Sequence, residues 1–233
     1  MLARLCAAAC ALSLAACSML RREDDADYQP RINAADFQTQ VDNPWFPLVP
    51  GTTYRYVEHK GAERTDVVTT VTHETRTIRG VTCVVVHDLA TRNGATLEDT
   101  YDWYAQDKKG NVWYFGEDTR AYDASGKYST EGSWEAGVDG AQPGIIMPAD
   151  AVAGAAYRQE YFAGHAEDMG QIVTLNESVS VPLGVFVETL RTREWSELEA
   201  GSDKKWYARG IGFIRSEAED GDVGELISMS KAP

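Results

Sequence analysis

The chain has 233 residues, 43% of them hydrophobic and 25% charged, the proportions of a folded globular protein and not of a disordered one. Its 22 basic residues stand against 36 acidic ones. The resulting formal charge of −14 repels phosphate backbones and anionic lipid surfaces over a Debye length of roughly 8 Å, which argues against a nucleic-acid partner. The one stretch apolar enough to touch a membrane lies at the N-terminus and is far shorter than the roughly 20 residues that a spanning helix needs.

That stretch is the first predicted element. Arg4 precedes an apolar run from Leu5 to Leu14 and then the small residues Ala15 and Ala16, which is the layout of a secretory signal peptide over residues 1–16. Leu14-Ala15-Ala16-Cys17 resembles the lipobox of bacterial lipoproteins. The resemblance implies that cleavage exposes Cys17 as the first residue of the mature chain and that Cys17 carries several acyl chains. At roughly 0.8 kcal/mol per buried methylene, such a group anchors a protein durably to a membrane. Ser18, standing where aspartate would retain a lipoprotein in the inner membrane, implies sorting to the outer membrane. Cleavage also removes Cys6, Cys10 and the charge of Arg4, so the formal charge falls from −14 to −15 and Cys83 is left as the one free thiol. Cys83 sits in the apolar run Val81–Val86 and reads as a small buried hydrophobe, not a nucleophile.

Residues 17–40 contain the charge run Arg21-Arg22-Glu23-Asp24-Asp25-Ala26-Asp27 and almost no apolar periodicity, which predicts a lipidated N-terminus followed by a solvated tether. The folded domain, 41–233, opens with Asn43-Pro44-Trp45-Phe46-Pro47-Leu48-Val49-Pro50, where prolines forbid a helix and aromatics can plug one end of a β structure. Alternating segments rich in Val, Thr, Tyr, Phe and Trp follow at 52–59, 66–78, 81–91, 96–106, 111–116, 157–164, 171–181, 185–194, 204–208, 212–217 and 225–230. Asp107-Lys108-Lys109-Gly110 and Glu219-Asp220-Gly221-Asp222 supply hairpin turns. The fold class is therefore all-β: a single strongly curved antiparallel sheet, a half-barrel or barrel-like meander. Helix is confined to short turns near 149–156 and around His165.

The segment Asp102-Trp103-Tyr104-Ala105-Gln106-Asp107-Lys108-Lys109-Gly110-Asn111-Val112-Trp113-Tyr114-Phe115-Gly116-Glu117, with Asn43–Leu48 before it and Pro143–Pro148 after it, resembles an uncharacterised family of bacterial secreted proteins and lipoproteins. That resemblance implies no catalytic residue. Lys204–Ile214 is similar, over a shorter stretch, to a late strand pair of LolA-like periplasmic half-barrels, which implies a curved sheet cupping an apolar cavity.

Six rings between Tyr101 and Phe115 fall on both faces of their strands, so protein or ligand covers both sides. Ile145-Ile146-Met147, between Pro143 and Pro148, reads as an apolar loop or lid rather than as a central strand. Trp103, Tyr104, Trp113, Ile145, Ile146 and Trp206 are accordingly the expected wall and lid of a site for an apolar or amphipathic small molecule, or for an envelope protein partner. An alternative uses the carboxylates around Glu98, Asp102 and Glu117 in a metal-assisted hydrolase or a calcium-stabilised domain, although the full calcium-loop pattern is missing. His59, His73, His87 and His165 lack paired metal spacing, and no nucleophile elbow, phosphate loop or dinucleotide fingerprint occurs. No cofactor is implied, and the reading leans toward a binding protein held at the membrane by its lipid rather than an enzyme.

Overall fold

The computed structural model describes residues 28–154 and 156–231. The expected signal peptide, the lipidation site Cys17 and the charge run lie outside the described residues. Sixteen strands follow in chain order: β1 (Phe37–Gln38), β2 (Thr52–Lys60), β3 (Glu63–Ile78), β4 (Val81–Arg92), β5 (Ala95–Asp107), β6 (Val112–Tyr122), β7 (Tyr128–Ser129), β8 (Trp134–Glu135), β9 (Gln142–Met147), β10 (Ala156–Arg158), β11 (Glu160–Tyr161), β12 (Asp168–Val181), β13 (Gly184–Ser196), β14 (Asp203–Ala208), β15 (Gly212–Ala218) and β16 (Val223–Lys231). Among the described residues the helical content is one 3-10 turn, Ala34–Asp36.

The strands form one antiparallel sheet, nearly closed and barrel-shaped. Its order runs β10, β12, β13, β14, β15, β16, β2, β3, β4, β5, β6, β9, β11, with β1 added to β5 and with β7 and β8 added to β6. Two meanders, β2–β6 and β12–β16, are thus joined where β16 pairs with β2. On the opposite side the edges are carried by β10 and β11, which only Gln159 separates in sequence. One short segment therefore bonds to both edges: β10 to β12, and β11 to β9. The Gln159 amide donates to Asp168 O at 2.8 Å across this seam. Two glycines allow the approach. A Cβ on Gly144 would lie 2.4 Å from the Gln159 carbonyl carbon, and one on Gly170 would lie 2.8 Å from the Tyr157 ring.

Gln142–Met147 corrects the expected loop, since it is strand β9, bonded to β6 on one side and β11 on the other. Its prolines do not prevent this. Pairing with β6 begins at Gly144 and ends at Met147, so Pro143 and Pro148 need give no N–H to that ladder. The outward residues Arg55, Arg64, Asp66, Glu74, Asp118 and Arg120 are exposed. This is the reverse of the apolar band that a membrane-spanning barrel turns to lipid.

The tether expected over 17–40 is described from Tyr28 onward, and there the chain is strapped to the barrel. The Tyr28 hydroxyl donates to Pro143 O at 3.0 Å, Lys108 N donates to Asp36 O at 2.8 Å, and Phe37 packs edge-on against Trp113 and Phe115. Tyr28, Ile32 and Phe37 bring the apolar surface that the preceding charge run lacks.

Residues 41–48 close one end of the barrel, as the prolines and aromatics led us to expect. The buried Asn43 holds them. Its Nδ2 donates to Gly110 O at 2.9 Å and Pro148 O at 3.3 Å, while its Oδ1 accepts from Trp45 N at 2.9 Å. Gln106 Oε1 accepts from the amides of Asp42 and Asn43 at 2.9 and 2.8 Å, and Gly210 N donates to Pro44 O at 2.7 Å. Because Asn43→Ala strands several of these buried groups, it should cost about 2 kcal/mol of stability. Thermal denaturation should then show a midpoint about 4–8 °C lower; an unchanged midpoint would mean that the plug is not held this way.

Candidate functional site

Opposed residues of an antiparallel pair project to the same face, so the register identifies the interior. Tyr54, Thr69, Asp88, Thr100 and Thr119 form one inward row across β2 to β6. Val71, Val86, Asp102 and Glu117 form the next, and Val84, Tyr104 and Tyr114 a third. On the other half Leu190, Tyr207 and Phe213 are opposed, as are Thr192, Lys205 and Ser216. The interior divides into two zones, aromatic beneath the 41–48 plug and acidic beyond it.

The aromatic zone holds a cavity of about 60 Å³, lined by Phe46, Pro47 and Leu48 of the plug and by Tyr54, Tyr56, Thr69, Val71, Val86, Tyr104, Lys205, Tyr207, Ile211, Gly212 and Phe213 of the barrel. Its rings touch in succession: Tyr54 and Tyr56 at 6.4 Å between centroids, Tyr56 and Phe213 at 5.3 Å, Phe213 and Tyr207 at 5.9 Å, Tyr207 and Phe46 at 6.4 Å, Phe46 and Tyr104 at 5.3 Å. The volume takes roughly four to six water-sized bodies and is far below what an acyl chain fills.

Below the cavity the carboxyls gather. Asp102 is 1% exposed. It accepts from the Tyr114 hydroxyl at 2.5 Å and is hydrogen-bonded to Asp88, which also accepts from Thr69 Oγ1. Two carboxyls can share a hydrogen bond only if one keeps its proton, and burial, with Asp88 adding to it, pushes Asp102 up to about 6. Burial and neighbouring carboxylates likewise push Glu58 and Glu98 up to about 7 and hold Glu117 and Glu160 well above the ordinary range. Trp134 Nε1 donates to Glu160 at 2.9 Å. Glu194 behaves differently. Burial acts to raise it, but Lys205 Nζ at 2.7 Å, Thr192 Oγ1 at 2.8 Å and the Tyr207 hydroxyl at 3.0 Å outweigh burial and hold it below its usual value.

Of the expected wall and lid residues, Tyr104 lines the cavity and the other five do not. Trp103 is 4% exposed and faces outward under the Arg76 guanidinium, 4.1 Å from its ring centre. Trp113, also outward, donates from Nε1 to Asp107 at 2.9 Å beneath Phe37. Trp206 lies on the outer face between Arg191 and Arg215 and donates to Glu177 at 2.7 Å. Ile145 and Ile146 belong to strand β9. What the sequence reading passed over is Phe46, Tyr54, Tyr56, Tyr207 and Phe213. The alternation Tyr54-x-Tyr56 on β2 was the legible signal, and Tyr207 is the opposite-face neighbour of the tryptophan chosen instead.

Glu98, Asp102 and Glu117 do come together, inside the barrel rather than on its surface. Among the described residues no group of three His, Cys, Asp or Glu side chains is placed to hold a metal ion. Buried Cys83, whose thiol burial pushes up to about 12, has the character of a core residue.

No family model matches the chain, and no curated protein matches it either. Two solved structures are similar to it. A "putative exported protein" with a YmcC-like fold from Bacteroides fragilis has 17% identity and a TM-score of 0.49, covering 80% of this chain and 99% of that one. A "putative lipoprotein" from Parabacteroides distasonis has 12% identity and a TM-score of 0.38, covering 81% of this chain and 99% of that one.

The buried carboxyls make stability depend on pH in an unusual direction. Glu98 holds its proton to about 7 in the folded chain, against an ordinary value of 4.5. Its contribution is therefore full below pH 4.5 and is lost as pH rises through about 7, a loss of at most about 3 kcal/mol. Glu194 and Glu217, held low, lose their contributions only at acid pH, below this window. Unfolding midpoints should fall between pH 5 and pH 8.5, and Glu98→Gln should flatten that fall. A midpoint that climbs over the same interval would contradict the assignment.

Proposed function

We propose that the chain is an exported lipoprotein of the bacterial envelope, anchored through Cys17, whose barrel binds the apolar part of a small molecule beneath the 41–48 plug. The observation that carries the binding reading is the ring-lined cavity between Phe46 and the inward tyrosines of β2, β5 and β14. Its walls are apolar and aromatic with a few polar side chains, Thr69 and Lys205 among them, the usual make-up of a small-molecule site. The anchor reading rests on the signal sequence and on Leu14-Ala15-Ala16-Cys17. Eleven residue steps separate Cys17 from Tyr28, the first residue strapped to the barrel, so an anchor at Cys17 would keep that point within about 40 Å of the bilayer. Ser18 favours the outer membrane as the destination.

Both parts can be read from one preparation, the protein extracted from membranes of the expressing cell. Denaturing mass spectrometry should give a chain beginning at Cys17 and carrying acyl mass, and native mass spectrometry should add a noncovalent mass that Tyr104→Ala reduces. An unprocessed N-terminus would overturn the anchor. A bare native mass with every small-molecule extract tried would overturn the binding reading and turn attention to a protein partner.

A further inference from the structure

The cavity is ringed, not merely lined, by aromatic side chains. The contacts Tyr54–Tyr56–Phe213–Tyr207–Phe46–Tyr104 run unbroken, and the gap between Tyr104 and Tyr54 is filled by Thr69, Val71 and Val86. Aromatic faces are electron-rich, and a box of them attracts a cation that carries its own apolar surface.

The ionisable groups behind the rings are carboxyls. Thr69, in the wall, donates to Asp88. Tyr104 stacks at 4.9 Å on Tyr114, which donates to Asp102, and the Tyr207 hydroxyl donates to Glu194. Glu58 follows Tyr56 on the same face of β2. Against these four carboxyls the wall holds one cation, Lys205, whose ammonium is already paired with Glu194 at 2.7 Å. An anionic ligand would meet carboxyl groups and a lysine that Glu194 already holds, and an acyl chain would find too little room. A trimethylammonium group with the methylene that bears it has five heavy atoms, against a space for roughly four to six water-sized bodies.

From these rings, these carboxyls and this volume we infer that the cavity is a cage for a methylated ammonium group, carried by a free solute such as choline. The inference rests on the cavity being a ligand site, as proposed above, and names the chemistry of its occupant. The strongly acidic chain disfavours a phosphate next to the head, which is why a free cation is preferred to a phospholipid.

NMR titration of the purified protein with choline, with its uncharged isostere 3,3-dimethylbutan-1-ol and with phosphocholine separates the possibilities. Choline should bind about tenfold more tightly than the uncharged isostere, and Phe213→Leu, which keeps apolar bulk but removes a ring, should remove most of that preference while leaving isostere binding unchanged. Phosphocholine should bind more weakly than choline; equal or tighter binding would support the cage but make a lipid head its source. Equal affinity for choline and isostere would overturn the ammonium inference and leave the apolar-site reading standing. No binding of either at millimolar concentrations would overturn the inference, and the native mass measurement would then decide the broader reading independently.

Discussion

The structure depends on how its sheet closes. Between β12, the edge of one meander, and β9, the strand added beside β6 of the other, lies a segment of six residues, Ala156–Tyr161, which pairs with β12 through β10 and with β9 through β11. An unclosed sheet this long would present two rows of unpaired N–H and C=O groups to solvent. Here a single short crossing pairs with part of each, Met169–Gln171 of β12 and Gln142 and Pro143 of β9, made possible by the missing side chains at Gly144 and Gly170. Everything inside the barrel owes its environment to that crossing.

Enclosure explains why so acidic a chain places carboxyls in its interior. Asp88, Asp102, Glu98, Glu117 and Glu160 face one another with few basic partners, and burial keeps protons on several of them where solvent would not. Tyr114, Trp134 and Thr69 serve as donors to this cluster. Where a true ion pair is retained, at Lys205 and Glu194, it carries two further hydrogen bonds from Thr192 and Tyr207. Satisfying the remaining lone pairs is what a buried pair needs if it is not to destabilise the fold. Tyr207 also turns its ring to the cavity, and Tyr114 stacks behind the cavity-lining Tyr104, so the polar network and the aromatic wall are in direct contact.

Much of the fold was legible in the sequence, because β-branched and aromatic residues alternate cleanly and glycine-bearing turns punctuate them. Strands β2 to β5 and β12 to β16 fall within a few residues of their expected bounds. Strand β9 was not legible, since its flanking prolines read as breaks, and only the register shows that they fall outside its ladder with β6. Which residues line the cavity was not legible for a similar reason. Period-two alternation separates Trp103 from Tyr104 and Trp206 from Tyr207 without saying which face is inside. Charge ordinarily answers that question, and here it misleads: Asp102 shares the inward face with Tyr104, while outward Trp103 is covered by Arg76 and outward Trp206 by Arg191 and Arg215. Tyr54 and Tyr56 gain meaning only when β16 and β3 set Tyr54 opposite Met229 and Thr69, and Tyr56 opposite Leu226 and Val67.

Closure at the seam is the claim on which the interior chemistry stands, and native-state hydrogen exchange tests it most directly. The Gln159 amide, bonded to Asp168 O, reports on the β12 side of the crossing, and the amides of Gln142, Glu160 and Tyr161, in the paired strands β9 and β11, report on the other side. In a closed barrel they exchange within about tenfold of the amides at the centre of β5 and β6, because opening the seam exposes the same interior. Exchange at the rate of an unstructured chain, with β5 and β6 still protected, would show an open half-barrel, and the buried acidic interior with its ring-lined cavity would lose its physical basis.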